Sequence, residues 1–230
     1  MGRIGNPPDY LPKEKAGYHP APQTNMSHLR FREYYRRRLP HIQIAGSTYF
    51  VTFRLANSLP KEALEKLAEE TDRIKKLPPD QIDQEQRRWF GKFDDYLDRA
   101  LCGEAFLKNE KVADIVAEAL QYRDGKVYTL EGFTIMPNHG HVVCTPLEKE
   151  NGEFNSLTEI FQSFKRHTAR QANLALGRSG MFWQDESYDH IVRDQAELER
   201  VVKYVLNNPV KAGLANDWEE WKWSYSRFEL

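Results

Sequence analysis

The chain has 230 residues, which suffices for one domain with its own core plus extensions. Its 33 basic and 34 acidic residues leave a formal net charge of -1, so overall charge gives no argument for a nucleic-acid partner. The sequence contains no apolar run long enough for a membrane span, no signal-like apolar stretch near its start and only two cysteines, which excludes a disulfide framework. We therefore expect a cytoplasmic protein with no membrane partner.

The first part of the chain is predicted to be an extended leader followed by a strand. Residues 1–29 are rich in Pro, Gly and Asn and show no periodicity. Arginines then outnumber acidic residues around Arg36, Arg37 and Arg38, with aromatic residues among them. This pattern is typical either of a segment that contacts DNA or of a solvated arm. The β-branched and aromatic residues of 41–54 predict a strand entered through a bend.

A highly charged segment at about 60–104 predicts a helical insertion. Apolar residues at helical spacing favour a first helix that ends at Pro78. Acidic and basic residues alternate over 80–100, which is typical of a second, solvent-facing helix. We expect residues 30–230 to form one domain that contains this insertion.

The remainder of the chain alternates between helices and strands. The predicted elements are a helix over 111–122, a β-hairpin over 127–145, a helix over 156–176, a strand around 190–192, a helix over 195–207 stopped by Pro209, and a Trp-rich tail over 214–230. The helix over 156–176 begins with a capping box of Ser156 and Glu159. This order predicts an α+β fold, a ferredoxin-like or RRM-like antiparallel sheet with helices on one face.

The first candidate for chemistry is the pair His139 and His141. Alternate side chains of a strand share a face, so two histidines separated by one residue can present both imidazoles to one metal ion. By itself, a His-x-His pair is more often a pair of surface or hydrogen-bonded histidines. The pair is therefore a hypothesis that needs further ligands.

The second candidate is the pair Tyr204 and Asn208, near the end of the last predicted helix. Residues four apart lie on one helix face. Asn208 offers an amide oxygen that suits Mg²⁺ or Mn²⁺, and Tyr204 offers a phenol. A single helical tyrosine is most often a packing residue with its hydroxyl at the surface.

A basic helix face is the third candidate. Lys165, Arg166 and Arg170 follow the apolar stripe of the helix over 156–176. Such a face is either simply solvated or in contact with DNA phosphates. The sequence leaves both interpretations open.

Several motifs, taken in order, resemble a known family. Residues 136–143 (MPNHGHVV) are similar to the metal-binding motif of HUH single-strand transposases. Further similar motifs are Ser163-Phe164-Lys165-Arg166, Phe182-Trp183-Gln184, residues 188–193 (YDHIVR) and residues 204–214 (YVLNNPVKAGL). The branch that the chain resembles most is the REP-associated tyrosine transposases, over roughly residues 40–58 and 105–225.

The resemblance implies a fold and a site. His139 and His141 would lie on a central strand and hold Mg²⁺ or Mn²⁺, and Asn208 would complete the metal site. Tyr204 would attack single-stranded or hairpin DNA and form a 5′-phosphotyrosine, so the chain would be a nicking and joining enzyme. Relatives act as a monomer or as a homodimer. The chain departs from the family at Gly140, where the motif normally has a bulky apolar residue, and in its long insertion.

Three other functions are compatible with parts of the sequence. A replication initiator or relaxase would use the same chemistry, but it would need a helicase region or a paired-tyrosine motif, which the sequence does not show. A catalytically silent or regulatory nucleic-acid-binding protein could retain the same scaffold. A zinc hydrolase would need more ligands beside the pair, and Val143 stands where an aspartate of a His-x-His-x-Asp-His motif would be.

Overall fold

The computed structural model of the protein describes residues 31–36, 40–99 and 103–229. The predicted leader over 1–29, and Arg37 and Arg38, therefore lie outside the described residues. The strands are β1 Phe31–Arg36, β2 Pro40–Ile44, β3 Thr48–Arg54, β4 Tyr128–Ile135, β5 His139–Pro146, β6 Tyr188–Val192 and β7 Ser224–Ser226. The helices are α1 Lys61–Ile74, α2 Pro79–Asp98, α3 Glu110–Gln121, α4 Leu157–Ala175 and α5 Gln195–Lys211, with short 3-10 helices at Phe106–Lys108 and Trp218–Glu220.

The main sheet has five strands in the order β6, β3, β5, β4 and β7, and every neighbouring pair is antiparallel. Strands β1 and β2 form a separate hairpin. The central strands β3 and β5 are buried almost throughout, and Thr52 on β3 lies opposite His141 on β5. The predicted α+β class and antiparallel sheet are confirmed, and His139 and His141 lie on the central strand of the sheet.

The positions of the helices correct one detail of the predicted fold. Helices α3 and α4 pack on the face of the sheet that carries Val51 and Val142. Helix α5 packs on the opposite face, against Phe50 and Val143. Helices therefore cover both faces and not one, because β3 and β5 are buried on both faces and each face needs a covering layer.

The ends of α4 and α5 show how well local signals specify a helix. Ser156 caps α4 by accepting a hydrogen bond from the Glu159 backbone N–H, as the capping box predicts. Helix α5 does not stop at Pro209, which lies inside it. The ring removes one backbone donor, but the helix continues for a last turn, in which the Ala212 N–H bonds to the Asn208 carbonyl at 2.9 Å.

The insertion folds as two packed helices with a small apolar cluster of their own. Leu67 on α1 meets Trp89, Phe93 and Leu97 on α2, and the Trp89 indole donates to the Leu67 carbonyl at 2.9 Å. The expectation of a purely solvent-facing second helix is wrong, because one side of α2 is buried. Leu97 is completely buried, and so is Asp94, which precedes it by three residues.

The tail completes the sheet. Strand β7 pairs with β4, and the Trp221 indole donates to the Ile135 carbonyl at 2.9 Å. The Trp-rich segment therefore packs back on the domain as the sequence predicts. Among the helices of the described residues, none is long and apolar enough to cross a membrane.

Candidate active site

The two histidines of β5 point to one place on the α5 face of the sheet. Both side chains are 0% exposed, and their Nε2 atoms are 3.0 Å apart. Gly140 between them, and Val142 after them, face the opposite side, as the two-residue period of a strand requires. Strand geometry alone thus brings the two imidazoles together.

The ring of His139 is oriented by a chain of hydrogen bonds. The Asn138 amide nitrogen donates to the Leu97 carbonyl at 3.0 Å, and this contact fixes the Asn138 amide oxygen toward His139. His139 Nδ1 lies 2.7 Å from that oxygen, which can only accept, so Nδ1 carries the proton. His139 Nε2 is left with a free lone pair. This arrangement is the one that metal-binding histidines adopt.

His141 has an equivalent partner on the neighbouring strand. Its Nδ1 lies 2.8 Å from the Thr52 hydroxyl, which can accept a hydrogen bond from it. Phe50 stacks on the His141 ring with 5.6 Å between ring centroids. Strand β3 therefore holds the ring in place and leaves His141 Nε2 directed toward His139.

A carboxylate from the insertion completes a possible metal-ligand set. Asp94 on α2 is 1% exposed, and its Oδ1 lies 3.3 Å from His141 Nε2. One ligand atom each from Asp94, His139 and His141 can be chosen so that all lie within 4.8 Å of one another. Sequence reasoning missed Asp94, since it is one acid among many in a charged segment. The signal available in the sequence is that Asp94 precedes the apolar residue Leu97 by three positions, so both lie on one side of a helix.

Tyr204 and Asn208 approach the same place from α5. The Tyr204 hydroxyl donates to Asp94 Oδ2, and the Tyr204 ring centroid lies 6.0 Å from that of His141. The Asn208 amide nitrogen bonds to the Tyr204 carbonyl at 3.3 Å. Its Oδ1 is buried and has no hydrogen-bond donor. One chain thus brings together the predicted nucleophile and the predicted ligands.

The electrostatics of the centre favour a neutral His139 and a charged carboxylate on Asp94. Burial, with His141 beside it, lowers the pKa of His139 to about 3, although Asp94 opposes the shift. Burial alone would raise the pKa of Asp94, but its contacts with His141, His139 and Tyr204 hold that pKa well below its usual range. Burial and the Asp94 charge raise the pKa of Tyr204, and Asn208 partly opposes this. The Tyr204 phenol is therefore protonated in the structure.

The site reaches solvent beside Lys211, whose side chain is 45% exposed. Its Nζ lies 3.0 Å from Asp98 Oδ2 and 3.9 Å from Asp94 Oδ2. Burial, together with Asp94, raises the pKa of Asp98, although Lys211 opposes this. An ammonium group thus lies at the solvent edge of the site, paired with the carboxylates of Asp95 and Asp98.

The packing around Gly140 explains the departure from the usual motif. A Cβ added at Gly140 would lie 2.5 Å from Cζ of Phe53, which is completely buried. Phe53 fills the space beneath the strand and packs against Phe164 and Trp183. The bulk that the motif normally carries at this position is supplied here by the neighbouring strand.

Of the predicted DNA-binding residues, the three on α4 are not part of this centre. Lys165 on α4 donates to the Gln184 and Asp185 carbonyls at 2.7 and 2.9 Å, so it holds a loop. Arg166 and Arg170 are exposed on α4, which packs on the face opposite the histidines. Arg36 ends β1. A role of these residues in DNA binding stays a prediction.

The donor set fits a divalent cation. His139 Nε2 and His141 Nε2 offer lone pairs, and Oδ1 of Asp94 and Oδ1 of Asn208 are buried oxygens without a hydrogen-bond donor. Two imidazoles with oxygen ligands suit Mn²⁺ well, and the oxygens also suit Mg²⁺. Buried polar atoms are normally paired, so these two oxygens point to a ligand.

Comparisons with known proteins give related findings. No protein-family profile matches the chain. A Haemophilus influenzae protein described as uncharacterized is 29% identical over 97 residues, 35% of this chain and 54% of that protein. A second protein of that organism, described as a "putative REP-associated tyrosine transposase", is 24% identical over 95 residues, 39% of this chain and 54% of the relative. The chain thus spans about half the length of these curated relatives.

A solved structure of a REP-associated tyrosine transposase bound to a REP hairpin covers 84% of this chain and 81% of its own, at 16% identity and a TM-score of 0.45. The resemblance that the motifs predict is confirmed by the description of the second curated relative. The chain is similar to REP-associated tyrosine transposases, and none of these comparisons extends to its chemistry.

Proposed function

We propose that this protein is a metal-dependent endonuclease and strand transferase of the REP-associated tyrosine transposase type, acting on single-stranded or hairpin DNA. One observation carries the proposal. A tyrosine hydroxyl, two buried imidazoles and a buried carboxylate oxygen without a donor meet at one point of the fold, and the buried Asn208 follows the tyrosine by one helical turn. Packing alone would not select that combination, because each buried polar group would destabilise the core unless a ligand compensated it.

His139, His141 and Asn208 would hold the cation, with Asp94 facing them. When bound, Mg²⁺ or Mn²⁺ would supply positive charge that draws the non-bridging oxygens of a phosphodiester to the site and offsets the charge that develops there. Asn138 keeps the His139 imidazole in the ligand tautomer, and the Thr52 hydroxyl is compatible with the same tautomer of His141. The protein therefore contributes a preformed set of ligands that needs little reorganisation.

Tyr204 is the nucleophile in this proposal. Its oxygen forms a bond to phosphorus while the bond from phosphorus to the 3′ oxygen breaks, which leaves a 5′-phosphotyrosine and a 3′-hydroxyl. The phenol proton passes to water, and the departing 3′ oxygen takes up a proton from water. Because a phosphodiester is exchanged for a phosphodiester, the reverse reaction can join another 3′-hydroxyl without an energy source.

The test is covalent trapping on synthetic hairpin oligonucleotides taken from the DNA that flanks the gene of this protein. We expect a denaturation-resistant protein–DNA adduct with Mg²⁺ or Mn²⁺ and none with a chelator. Tyr204→Phe should abolish the adduct and leave hairpin binding nearly unchanged. Tyr188→Phe is the matched control, because Tyr188 packs in the aromatic cluster, with its ring 4.5 Å from that of Phe90, and should react normally.

Two outcomes would contradict the proposal. An adduct with Tyr204→Phe would remove Tyr204 as the nucleophile and leave Tyr188 as the next candidate. Hairpin binding without any adduct of the wild-type protein would favour the catalytically silent, regulatory protein on the same scaffold.

A further inference from the structure

Helix α2 belongs to the insertion that distinguishes this chain from the family it resembles, yet it contributes to the candidate site in two ways. Asp94 faces His141, and the Leu97 carbonyl accepts the hydrogen bond that orients Asn138 and, through it, His139. A peripheral insertion would have its acidic residues in solvent. Here one carboxylate is 1% exposed and directed at two imidazoles.

The two oxygens of Asp94 have different partners. Oδ2 accepts the hydrogen bond of the Tyr204 hydroxyl. Oδ1 has no hydrogen-bond donor in the structure and lies 3.3 Å from His141 Nε2. A buried carboxylate oxygen without a partner is strongly unfavourable unless a cation or a donor compensates it. The carboxylate is thus shared between a nucleophile on one side and a pair of metal-type histidines on the other.

The position of Asp94 is set by packing on both sides of it along α2. Phe90, one turn earlier, contacts Phe50 on β3 and Tyr204 on α5, with ring centroids 5.2 and 6.1 Å apart. Leu97 is completely buried in the cluster that joins the two helices of the insertion. These contacts fix the register of α2 over the sheet, so the carboxylate is preorganised rather than free to turn away.

We propose that α2 is an integral part of the catalytic centre, in which Asp94 binds the divalent cation through Oδ1 and holds the Tyr204 hydroxyl beside that cation through Oδ2. This inference rests on the function proposed above. Asp94 is then the link between metal and nucleophile, and binding of the cation on one oxygen orders the tyrosine on the other. The insertion then contributes a functional residue to the site as well as an apolar cluster of its own.

The experiment compares Asp94→Asn with Asp95→Asn. Asp95 is the next residue of α2, is exposed, and pairs with Lys211 at 3.0 Å on the solvent side. Calorimetry with Mn²⁺ alone, without DNA, should show an affinity loss of about tenfold or more for Asp94→Asn and little change for Asp95→Asn. Adduct formation on the hairpin should fall in parallel for Asp94→Asn, while the folded state is retained.

Two further readouts separate a metal-bridging role from a merely structural one. Asp94→Cys should lose adduct formation in Mg²⁺ and regain part of it in Mn²⁺ or Cd²⁺, because a thiolate prefers softer ions. With 3-fluorotyrosine at position 204, the ¹⁹F resonance should shift on Mg²⁺ addition in the otherwise wild-type protein. Asp94→Asn should move the resonance and abolish the Mg²⁺ response.

The inference is overturned if Asp94→Asn binds Mn²⁺ and forms the adduct within twofold of wild type. It is also overturned if Asp95→Asn loses as much Mn²⁺ affinity and adduct formation as Asp94→Asn does. It is likewise overturned if the ¹⁹F resonance at position 204 is insensitive to Asp94. Absence of adduct with the wild-type protein would instead contradict the proposed function. Mn²⁺ affinity and the ¹⁹F response, which need no DNA, would still decide the role of Asp94.

Discussion

The two faces of the main sheet are built from the same strands, but one face forms the apolar core and the other carries the polar residues of the candidate site. On one face, Val51 and Val142 join an apolar core under α3 and α4. On the other, His139 and His141 meet polar groups delivered by α2 and α5. A two-residue period thus separates packing from chemistry along a single strand. Substitutions on the core face should change stability, and those on the site face should change ligand binding.

The largest effect on stability is expected from Phe164→Ala on the core face. Phe164 is 1% exposed and packs against Phe53 and Trp183. Its loss should lower the free energy of unfolding by about 3–5 kcal/mol, because a cavity remains in a well-packed core. Denaturant unfolding measures this, and Phe164→Leu provides a milder variant if the alanine protein does not fold. A loss below about 1 kcal/mol would show that this face is not the main core.

Gly140→Val tests the tightest point of the core face. The new side chain would meet the Phe53 ring, so we expect a loss of about 1–3 kcal/mol. The double variant Gly140→Val with Phe53→Leu should recover part of that loss, since the smaller side chain leaves room for the valine. Unfolding curves of four proteins, namely wild type, the two single variants and the double variant, form the comparison. Additive losses in the double variant would contradict the assigned contact.

Asn208→Ala should show the opposite behaviour on the site face. Removal of a buried oxygen that has no donor should change the free energy of unfolding by less than about 1 kcal/mol. Mn²⁺ affinity, measured by calorimetry without DNA, should fall by about tenfold or more. The neighbouring Asn207 is exposed, so Asn207→Ala is the matched control. Equal Mn²⁺ affinity in both variants would remove Asn208 from the ligand set.

The sequence predicts the site face unevenly, and the reason is physical. His139 and His141 share a strand, and Tyr204 and Asn208 share a helix, so short-range periodicity is enough to pair them. Asp94 comes from a segment more than 40 residues before the histidines, and only the docking of α2 on the sheet brings it to them.

The ends of the helices likewise follow the sequence where the signal is local and depart from it where tertiary packing decides. The Ser156 cap of α4 is a local signal and was predicted, whereas the passage of α5 through Pro209 depends on tertiary packing that buries that turn. The coverage of both sheet faces was also missed, because the pattern of a strand does not show which helix covers each of its sides.

The smallest effect on stability is expected for Arg166→Ala and Arg170→Ala. Hairpin binding by the same two variants tests whether α4 contacts DNA. Both side chains are exposed, so unfolding should change by less than about 0.5 kcal/mol. If they contact phosphates, hairpin affinity should fall, and the slope of log affinity against log salt should decrease by about one for each contact removed. Lys111→Ala, an exposed basic residue of α3 on the same face, is the control. Unchanged affinity and slope would exclude these two arginines of α4 as DNA contacts and favour contacts on the face that carries Tyr204.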